Sequence, residues 1–259
     1  MSGLAKRTAA VLFLLHDNMD RLERNFAILD DRMKGTFGDV VYCIYENDST
    51  DGTAEWIREL AGRRGDVRLL SERGYRPAMA EGRDSPWRYE RMAACRNRCL
   101  ELARRHAPHA DYAIVVDIDF TAFDQVCVAG AIREIDALHP AWQALCGSGL
   151  SQRDLGFYGP SMRVVPTRGS LPIRLYDVAA METGTPEQDL LSAAAMVRPA
   201  DHPPVRVRSA FGGIAVYRPE ALYPLRYEGW ACEHVCLHRG MQEVFMSYKL
   251  SPLMAALGN

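Results

Sequence analysis

The sequence lacks the marks of membrane-spanning and disulfide-rich proteins. Its longest early apolar run, Ala9 to Leu15, is too short to cross a bilayer and carries no cleavage-site pattern. The seven cysteines are an odd number and include no CxxC pair. We therefore expect a cytoplasmic protein with reduced thiols, no export signal and no transmembrane segment, at most in peripheral contact with a membrane.

Neither sign of charge is in excess. The chain has 31 basic and 33 acidic residues, a formal net charge of −2, so its charge indicates no nucleic-acid partner and no acidic tail. Repeats and low-complexity segments are also missing. What is present is an ordinary globular composition, 48% hydrophobic and 25% charged, in 259 residues that can bury a large core.

Strand and helix patterns alternate through the first half of the chain. Apolar residues at spacings of three and four from Met19 to Met33 predict an amphipathic helix, with Asp17 or Asn18 as its cap. The predicted strands cover residues 9–15, 40–45, 67–70 and 112–116, and further helices are predicted around residues 53–60, 87–106 and 126–138. This alternation predicts an α/β fold, with a mostly parallel central sheet flanked by helices on both faces.

The second half of the chain has a weaker pattern. Residues 150–208 are rich in glycine, proline, arginine and turn formers, residues 209–217 are predicted to form a strand, and residues 233–241 a short helix. We interpret this half as a loop-rich lid or other addition to the sheet. The sequence therefore predicts a single domain over residues 1–259, divided into halves near residue 140.

Polar clusters follow three of the predicted strands. They are His16-Asp17, Glu46-Asn47-Asp48 and Asp117-Ile118-Asp119. In a parallel sheet the carboxyl ends of the strands meet at one edge, and ligands bind there. We therefore expect the three clusters to lie together along this edge, the rim of the sheet. A need for solubility alone does not explain three polar clusters at one place.

Asp117 and Asp119 are the strongest candidates for a metal site. Side chains at i and i+2 project to the same side of a strand, so both carboxylates can approach one hard divalent cation. A nucleotide diphosphate needs such a cation, because negative charge builds on it as it leaves. The alternative is that Asp119 caps the following turn and that Asp117 is simply exposed.

Other polar residues are candidates for contacts with a ligand. Glu46 at a strand end can accept hydrogen bonds from a base or a ribose, whereas the following Ser49 to Thr53 is also explained as a turn and a helix cap. Arg91, Arg96 and Asn97 lie on the helix that precedes the Asp117 strand. They are candidates for contact with phosphate or sugar hydroxyls, and a solvated helix face is their alternative.

The last cluster lies around the C-terminal helix. His234 and His238 share a helix face at the i, i+4 spacing and can ligate a metal, although the nearby cysteines match no zinc pattern. Glu233 is either a reactive carboxylate or a favourable partner of the helix dipole. Gly212 and Gly213 either let the backbone approach a ligand or form a bulge. Asp177, after a short apolar segment, either holds a ligand or forms a turn.

These motifs together resemble a known family. The segments 46–53, 92–97 and 117–119 look like the signatures of GT-A glycosyltransferases. The order of Leu175-Tyr176-Asp177, Ala210-Phe211-Gly212-Gly213 and Cys232-Glu233-His234-Val235 is similar to the fungal capsule mannosyltransferase group and its bacterial and viral relatives. The resemblance spans about residues 9 to 252. Fungal members carry a membrane anchor that this chain does not show, and residues 178–208 match no pattern of the family.

The resemblance implies a GT-A, Rossmann-like fold and a hexosyltransferase. Its donor would be a GDP- or UDP-sugar, its cofactor Mn²⁺ or Mg²⁺, and its acceptor a hydroxyl of a glycan or lipid-linked glycan, in surface polysaccharide assembly. Residues 1–140 would bind the nucleotide-sugar, and residues 141–259 would bind the acceptor and carry out catalysis.

The resemblance also implies roles for individual residues. Asp119 would coordinate the metal, and Asp117 would contact the metal or the ribose. His234 would complete the metal shell, and His238 is the alternative ligand. The residues expected to contact the donor are His16, Glu46, Asn47, Asp48, Arg91, Arg96, Asn97, Asp117, Gly212 and Gly213.

The reaction type stays open at this point. In an inverting enzyme Glu233 would remove the acceptor proton as the general base, with Asp177 as second choice. In a retaining enzyme Glu233 would only orient the acceptor. Two other functions are considered. One is a sugar-1-phosphate nucleotidyltransferase, but the segment His16-Asp17-Asn18 after the first strand argues against it. The other is a non-catalytic nucleotide-sugar-binding module.

Overall fold

The computed structural model describes residues 3–74, 86–124, 126–148, 150–151 and 202–254. The candidate Asp177, the Tyr176 before it and most of the segment 150–208 lie outside the described residues. The helices are α1 (Met19–Lys34), α2 (Thr53–Arg63), α3 (Pro86–His106), α4 (Val128–Leu138), α5 (Pro219–Leu222) and α6 (Glu233–His238), preceded by a 3₁₀ turn at Gly3–Lys6. The strands are β1 (Thr8–Leu15), β2 (Asp39–Asn47), β3 (Val67–Glu72), β4 (Tyr112–Val116), β5 (Phe120–Ala122), β6 (Ala144–Gly147), β7 (Leu150–Ser151), β8 (Val205–Arg206), β9 (Ile214–Tyr217), β10 (Val244–Ser247) and β11 (Leu253–Met254).

An eight-stranded sheet in the order β3-β2-β1-β4-β9-β6-β10-β8 forms the centre of the fold. Strands β3, β2, β1 and β4 are parallel, as is the pair β6 and β10. Strand β9 runs antiparallel to both β4 and β6, and β8 runs antiparallel to β10. The prediction of an α/β fold with a mostly parallel sheet is therefore confirmed. A small second sheet has the order β5-β11-β7.

The described part of the second half contributes more strands to the central sheet than the sequence analysis predicted. Strands β6, β8, β9 and β10 supply four of the eight strands of the central sheet. Strands β6, β9 and β10 have four residues each, all buried, so they lack the alternation that marks a strand in a sequence. The strand predicted at 209–217 begins only at Ile214, because Gly212 and Gly213 have φ angles of 56° and 84° and form a turn.

The strands of the central sheet are apolar on both faces because helices cover both. Along β1, Val11 and Phe13 pack with α1, α2 and α4, whereas Ala10 and Leu12 pack with α3, α5 and α6. Successive strand residues point to opposite faces, so this division follows from the two-residue period of the strand. The two layers place α3 and α6 on the same face.

Asp51 caps two helices at once. Its Oδ2 accepts the backbone N–H of Met19 at 2.8 Å, at the start of α1, and its Oδ1 accepts that of Thr53 at 3.0 Å, at the start of α2. Asn18 has the N-cap position of α1, as predicted, but its side chain accepts the His16 N–H instead of capping the helix. The loops after β1 and β2 are therefore joined through one carboxylate.

All seven cysteines lie in described residues and are free thiols, in agreement with the sequence analysis. Burial raises the pKa of the Cys43 thiol to about 12, which keeps that thiol protonated and unreactive near neutral pH. Among the described helices, none combines the length and the apolar character needed to cross a membrane.

Arg64 joins α1, α2 and β3 at the edge of the sheet. Its guanidinium donates to Asp30 at 2.8 and 3.0 Å and to Asp66 at 2.5 and 2.8 Å, and it lies 5.2 Å from the ring centroid of Phe26. These hydrogen bonds from Arg64 lower the pKa of Asp66 to about 2. A bidentate, partly buried ion pair of this kind stabilises the folded state more than an exposed ion pair does.

We predict that Arg64→Met lowers the free energy of unfolding by roughly 1.5–3 kcal/mol at pH 7, the range for hydrogen bonds to charged groups. Asp66 has a lowered pKa in the folded state, so its stabilisation is complete above its unfolded pKa and is lost as pH falls toward 2. The difference between wild type and variant should therefore shrink on acidification. Urea denaturation at several pH values measures both effects.

Arg63→Met is the matched control, because Arg63 is exposed and pairs only with the exposed Glu59 among the described residues. It should change the free energy of unfolding by less than about 1 kcal/mol. Equal losses in the two variants, or a loss in Arg64→Met that does not depend on pH, would contradict the assigned role.

Candidate active site

The loops after β1, β2 and β4 meet at one edge of the sheet, as predicted. His16 follows β1, and its Nδ1 lies 2.7 Å from the carbonyl oxygen of Asn47 at the end of β2. Asp17 accepts the backbone N–H of Thr50 at 2.7 Å, which binds the same two loops together. Asp17 and Asp48 have φ angles of 49° and 51°, in the left-handed region that non-glycine residues rarely adopt.

Glu46 supports the loop after β2 instead of facing a ligand. The residue is 1% exposed. One carboxylate oxygen accepts the Ser49 N–H at 3.0 Å, and the other accepts the hydroxyl of Ser71. Both oxygens are therefore occupied within the protein, which argues against the expected contact between Glu46 and a nucleoside.

Three more residues that were expected to contact the donor are hydrogen-bonded within the protein. The Asn97 side chain donates to the Tyr227 carbonyl and accepts the Tyr227 N–H, both at 2.9 Å, and so fixes that segment to α3. Asp48 accepts the Gly74 N–H at 2.6 Å. Arg91 donates to the Trp87 carbonyl one turn earlier in α3. The Asn97 amide uses both of its functional atoms in this way, so it is not directed at a donor.

Asp117 and Asp119 stand where β4 ends. Asn25, a fully buried residue of α1, donates both of its amide hydrogens, to the carbonyl oxygens of Ile118 and Phe120 at 2.7 Å each. The Asp117 N–H donates to the Gly213 carbonyl at 2.8 Å. The backbone on either side of Asp119 is thus held by a helix below it and a turn beside it. Sequence reasoning missed Asn25, although a polar residue on the apolar face of α1 was its signal.

The surroundings of Asp117 and Asp119 disfavour the ionised form of both carboxyl groups. Burial raises the pKa of Asp117, and the charge of Asp119 raises it further while Arg96 opposes both. Burial likewise raises the pKa of Asp119. Burial, which disfavours the charged form of a carboxyl group, is the first cause of both shifts. Carboxyl groups with raised pKa values are common in sites that bind cations or carry out acid–base chemistry.

Arg96 joins the Asp117 carboxylate to α6. Its Nη2 lies 3.1 Å from Asp117 Oδ1, and its Nε lies 3.0 Å from Glu233 Oε1. The guanidinium side chain is 4% exposed and Glu233 is 7% exposed, whereas Asp117 is 35% exposed. The structure therefore brings together Arg96, Asp117 and Glu233, three of the residues predicted from the sequence.

An aromatic stack supports this group. The rings of Phe211 and His234 are parallel within 13°, with centroids 3.8 Å apart, and the Arg96 guanidinium lies 5.0 Å from the Phe211 centroid. Phe211 precedes Gly212 and Gly213, whose turn gives the carbonyl that Asp117 contacts. Gly212 and Gly213 therefore shape the backbone beside the carboxylates. Phe211 was not among the predicted site residues.

His234 and His238 have different environments. Both ring nitrogens of His234 are buried with no hydrogen-bond partner among the described residues, and burial lowers the pKa of this ring well below its usual range. His238 has Ser209 Oγ 2.8 Å from Nδ1 and Tyr217 Oη 3.0 Å from Nε2. His238 thus has both nitrogens satisfied inside the core, which argues against the prediction that it ligates a metal.

The described residues do not form a complete metal site by themselves. No group of three or more His, Cys, Asp and Glu side chains in the described part of the chain is close enough to hold an ion. Cys232, His234, Cys236 and His238 form no such group among the described residues. Asp117 and Asp119 supply carboxylate oxygens of the type that Mn²⁺ and Mg²⁺ accept.

No known protein-family profile matches the chain, and no curated protein matches its sequence. Several solved structures resemble its fold, among them three that contain a nucleotide or a nucleotide-sugar. They are the mannosyltransferase PcManGT from Pyrobaculum calidifontis in complex with GDP-Man and Mn²⁺ (16% identity, TM-score 0.51, 98% of this chain and 58% of that chain), GalNAc-T7 with UDP, GalNAc and Mn²⁺ (14%, 0.57, 97% and 44%) and S. aureus TarS 1-349 in complex with UDP (10%, 0.53, 96% and 60%). This chain thus spans about half the length of the proteins that it resembles. The comparisons confirm the predicted GT-A fold.

We predict that Arg96→Met destabilises the protein by roughly 3 kcal/mol or more, because it leaves the buried Glu233 carboxylate without its cation. Arg98→Met is the matched control two residues further along α3. Arg98 is 45% exposed and reaches Glu72 and Glu101 only at 3.6 and 3.8 Å, so its removal should cost less than about 1 kcal/mol. Urea denaturation compares the two, and similar losses would disprove the special role of Arg96.

Proposed function

We propose that this protein is a metal-dependent glycosyltransferase. It moves a sugar from a nucleotide-diphosphate sugar to a hydroxyl of a glycan or lipid-linked glycan. The observation that carries this proposal is the pair Asp117 and Asp119 at the end of β4, linked through Arg96 to Glu233 on the same rim. A carboxylate pair can hold the cation, and a further carboxylate can accept the proton if the transfer inverts the sugar or orient the acceptor if it retains the configuration.

The structural neighbours support a nucleotide-sugar donor. Their crystals contain GDP-Man with Mn²⁺, UDP with GalNAc and Mn²⁺, and UDP. The rim after β1, β2 and β4 of the present chain lies at the carboxyl ends of parallel strands, where open α/β sheets bind nucleotides. We propose a GDP- or UDP-sugar as the donor, with His16, Asn47 and the backbone of Gly212 and Gly213 nearest to it.

Asp119 is the principal metal ligand in this proposal. Asp117 is already paired with Arg96, so it serves either the metal or the ribose, whereas the Asp119 carboxylate is the less engaged of the two. We propose His234 as a further protein ligand, because neither of its buried ring nitrogens has a hydrogen-bond partner among the described residues. The ring would have to move toward Asp119 on metal binding, since these side chains do not form a group close enough to hold an ion as they stand. When bound, Mn²⁺ or Mg²⁺ would offset the negative charge of the departing diphosphate.

Arg96 and Glu233 supply the remaining chemistry. Nη2 of Arg96 donates to Asp117 Oδ1 at 3.1 Å, and we propose that the same guanidinium contacts the donor diphosphate. Glu233 Oε1 is held by Arg96 Nε, which fixes the carboxylate while Oε2 contacts the Cys232 thiol at 3.8 Å. We propose that Glu233 accepts the proton of the acceptor hydroxyl, with Asp177 as the second choice. Positioning of the two substrates would supply much of the rate.

We further propose a biological setting for this activity. The chain would be a hexosyltransferase of surface polysaccharide assembly that acts in the cytoplasm, with at most peripheral contact with a membrane. The resemblance of its motifs to the fungal capsule mannosyltransferase group supports this setting. Transfer of mannose from GDP-mannose to defined oligosaccharides is the first reaction to measure.

We predict that a GDP- or UDP-sugar raises the melting temperature of the protein in the presence of Mn²⁺ and has little effect without it. A ligand at 100 times its Kd stabilises the folded state by about 2.7 kcal/mol. The Asp119→Asn variant should lose this shift, because it removes a negative ligand while preserving shape. Differential scanning fluorimetry with GDP-, UDP- and dTDP-sugars tests the prediction.

Asp124→Asn is the control for this experiment, since it removes one carboxylate a few residues beyond the site. It should keep the full donor-dependent shift. No shift with any donor, or an unchanged shift in Asp119→Asn, would overturn the proposed metal–donor site.

We predict that Glu233→Gln lowers the transfer rate by about 10²-fold or more while donor binding persists, since general-base catalysis contributes on the order of 10²–10⁴-fold. The amide keeps an oxygen for Arg96 and so preserves the fold. Glu228→Gln, at an exposed carboxylate in the preceding loop, should keep wild-type turnover. Full transfer by Glu233→Gln would remove Glu233 from the role of base, and donor binding by wild type without transfer would favour a binding module.

A further inference from the structure

Two of the four tryptophans of the chain lie at its surface. Trp142 belongs to the core and Trp56 packs against it, whereas Trp87 and Trp230 are 61% and 54% exposed. Trp230 stands three residues before Glu233, the first residue of α6. Tryptophan is enriched at the residues that dominate binding, because its ring offers a large apolar face.

The backbone that carries Trp230 is held against α3. Gly229 is buried, and a Cβ atom at this position would lie 2.1 Å from the Cα atom of Glu90, so only glycine permits this approach. Two residues earlier, the backbone of Tyr227 forms two hydrogen bonds with the Asn97 side chain. The exposed ring therefore projects from a backbone that is fixed by its packing.

The indole ring of Trp230 is held in one orientation as well. Its Nε1–H donates to Glu228 Oε2 at 2.9 Å, and the Arg239 guanidinium carbon lies 4.0 Å from its ring centroid. The polar edge and one face of the ring are thus occupied, so the exposed area belongs mainly to the opposite face. A ring that is ordered before a ligand arrives loses little conformational entropy on binding. The Glu228→Gln control keeps an oxygen that can accept the indole hydrogen bond.

The size of the exposed face indicates what it can bind. A tryptophan side chain buries roughly 150–250 Å², whereas a stable protein interface needs about 800 Å² from each partner. A single ring of this kind suits a small, ring-shaped ligand. One face of a pyranose presents its C–H groups and is apolar, so it matches an indole face in shape and polarity.

The ring of Trp230 is also close to the proposed base. Three peptide units join the Cα atoms of Trp230 and Glu233, and they span at most about 11 Å. A glycan whose hydroxyl reaches Glu233 therefore has part of its chain near Trp230.

We propose that the open face of Trp230 stacks on a pyranose ring of the acceptor glycan. This role rests on the proposed function, because it supplies the acceptor of that reaction with a binding residue. Trp230 then determines specificity: a sugar ring gains the stacking contact, and a simple alcohol does not. Neither the metal nor the donor takes part in the contact, so it forms without them.

NMR titration of oligosaccharides into the ¹⁵N-labelled full chain, without donor or metal, tests the contact. The probes are mannotriose, maltotriose and galactobiose. The four tryptophans give four indole N–H signals, and Trp230→Phe identifies that of Trp230. We expect at least one sugar to shift this signal saturably while the signals of Trp56 and Trp142 stay in place. No shift with any of the sugars, or equal shifts of all four signals, would overturn the proposal.

Trp230→Ala should weaken binding of the same sugar by about tenfold or more, since it removes an apolar face of aromatic size. Trp230→Phe should keep part of the affinity, because a smaller ring remains. Leu138→Ala is the matched control at another exposed apolar residue, at the end of α4, and it should bind as wild type does. Equal affinity in wild type and Trp230→Ala would contradict the assigned role. Sedimentation with phosphatidylcholine vesicles that depends on Trp230, without sugar binding, would assign the ring to a membrane surface and overturn the proposal.

The donor-dependent melting shift separates this contact from the proposed function. Trp230→Ala should keep the shift with nucleotide-sugar and Mn²⁺, and in a transfer assay it should raise KM for the acceptor far more than it lowers kcat. Asp119→Asn should lose the shift and still bind the sugar. Sugar binding without any donor shift in wild type would support the contact and contradict the reaction. A donor shift in wild type without sugar binding would do the reverse.

Discussion

The buried guanidinium of Arg96 is the interaction on which the site depends. Arg96 belongs to α3, and its two carboxylate partners come from the end of β4 and the start of α6. A buried cation without partners costs several kcal/mol, so the fold is stable only when these elements meet at this point. Phe211 adds a ring face on which the guanidinium rests, and the turn after it holds the Asp117 backbone. One charge thus aligns four segments that are distant in the sequence.

The sequence was informative where elements are long and amphipathic. The helix from Met19 and the strands around residues 9–15 and 112–116 were predicted to within one residue at most ends, because their apolar periodicity is strong. The short strands β6 and β10 were missed, since a run of only four buried residues suits a buried strand and a helix segment equally. Their place in the sheet is set by tertiary pairing, which no local pattern encodes.

The candidate site shows a similar division. Asp117 and Glu233 were proposed because they stand at a strand end and a helix start, which are predictable positions. Arg96, inside α3, was proposed together with Arg91 and Asn97 on the same helix, and the structure gives it both carboxylates as partners. Glu46 and Asn97 were assigned to the donor, yet one stabilises a loop and the other fixes a backbone segment. Sequence reasoning cannot separate these uses, because a buried polar side chain needs hydrogen bonds whether they come from a ligand or from the protein. His238 is the same case, since its partners Ser209 and Tyr217 are distant in sequence.

The charges around Arg96 are not balanced among the described residues. Asp117, Asp119 and Glu233 bring three negative charges, and Arg96 supplies one positive charge. Arg21 donates to the backbone oxygen of Asp119 at 3.4 Å, and its side chain is paired with Asp20. Burial is the first cause of the raised pKa values of Asp117 and Asp119, and the mutual repulsion of the carboxylates adds to that of Asp117. A divalent cation would supply the two missing positive charges. Without it the carboxylates would repel the two negative charges of a donor diphosphate, so in this proposal the metal is needed before the donor can bind beside Arg96.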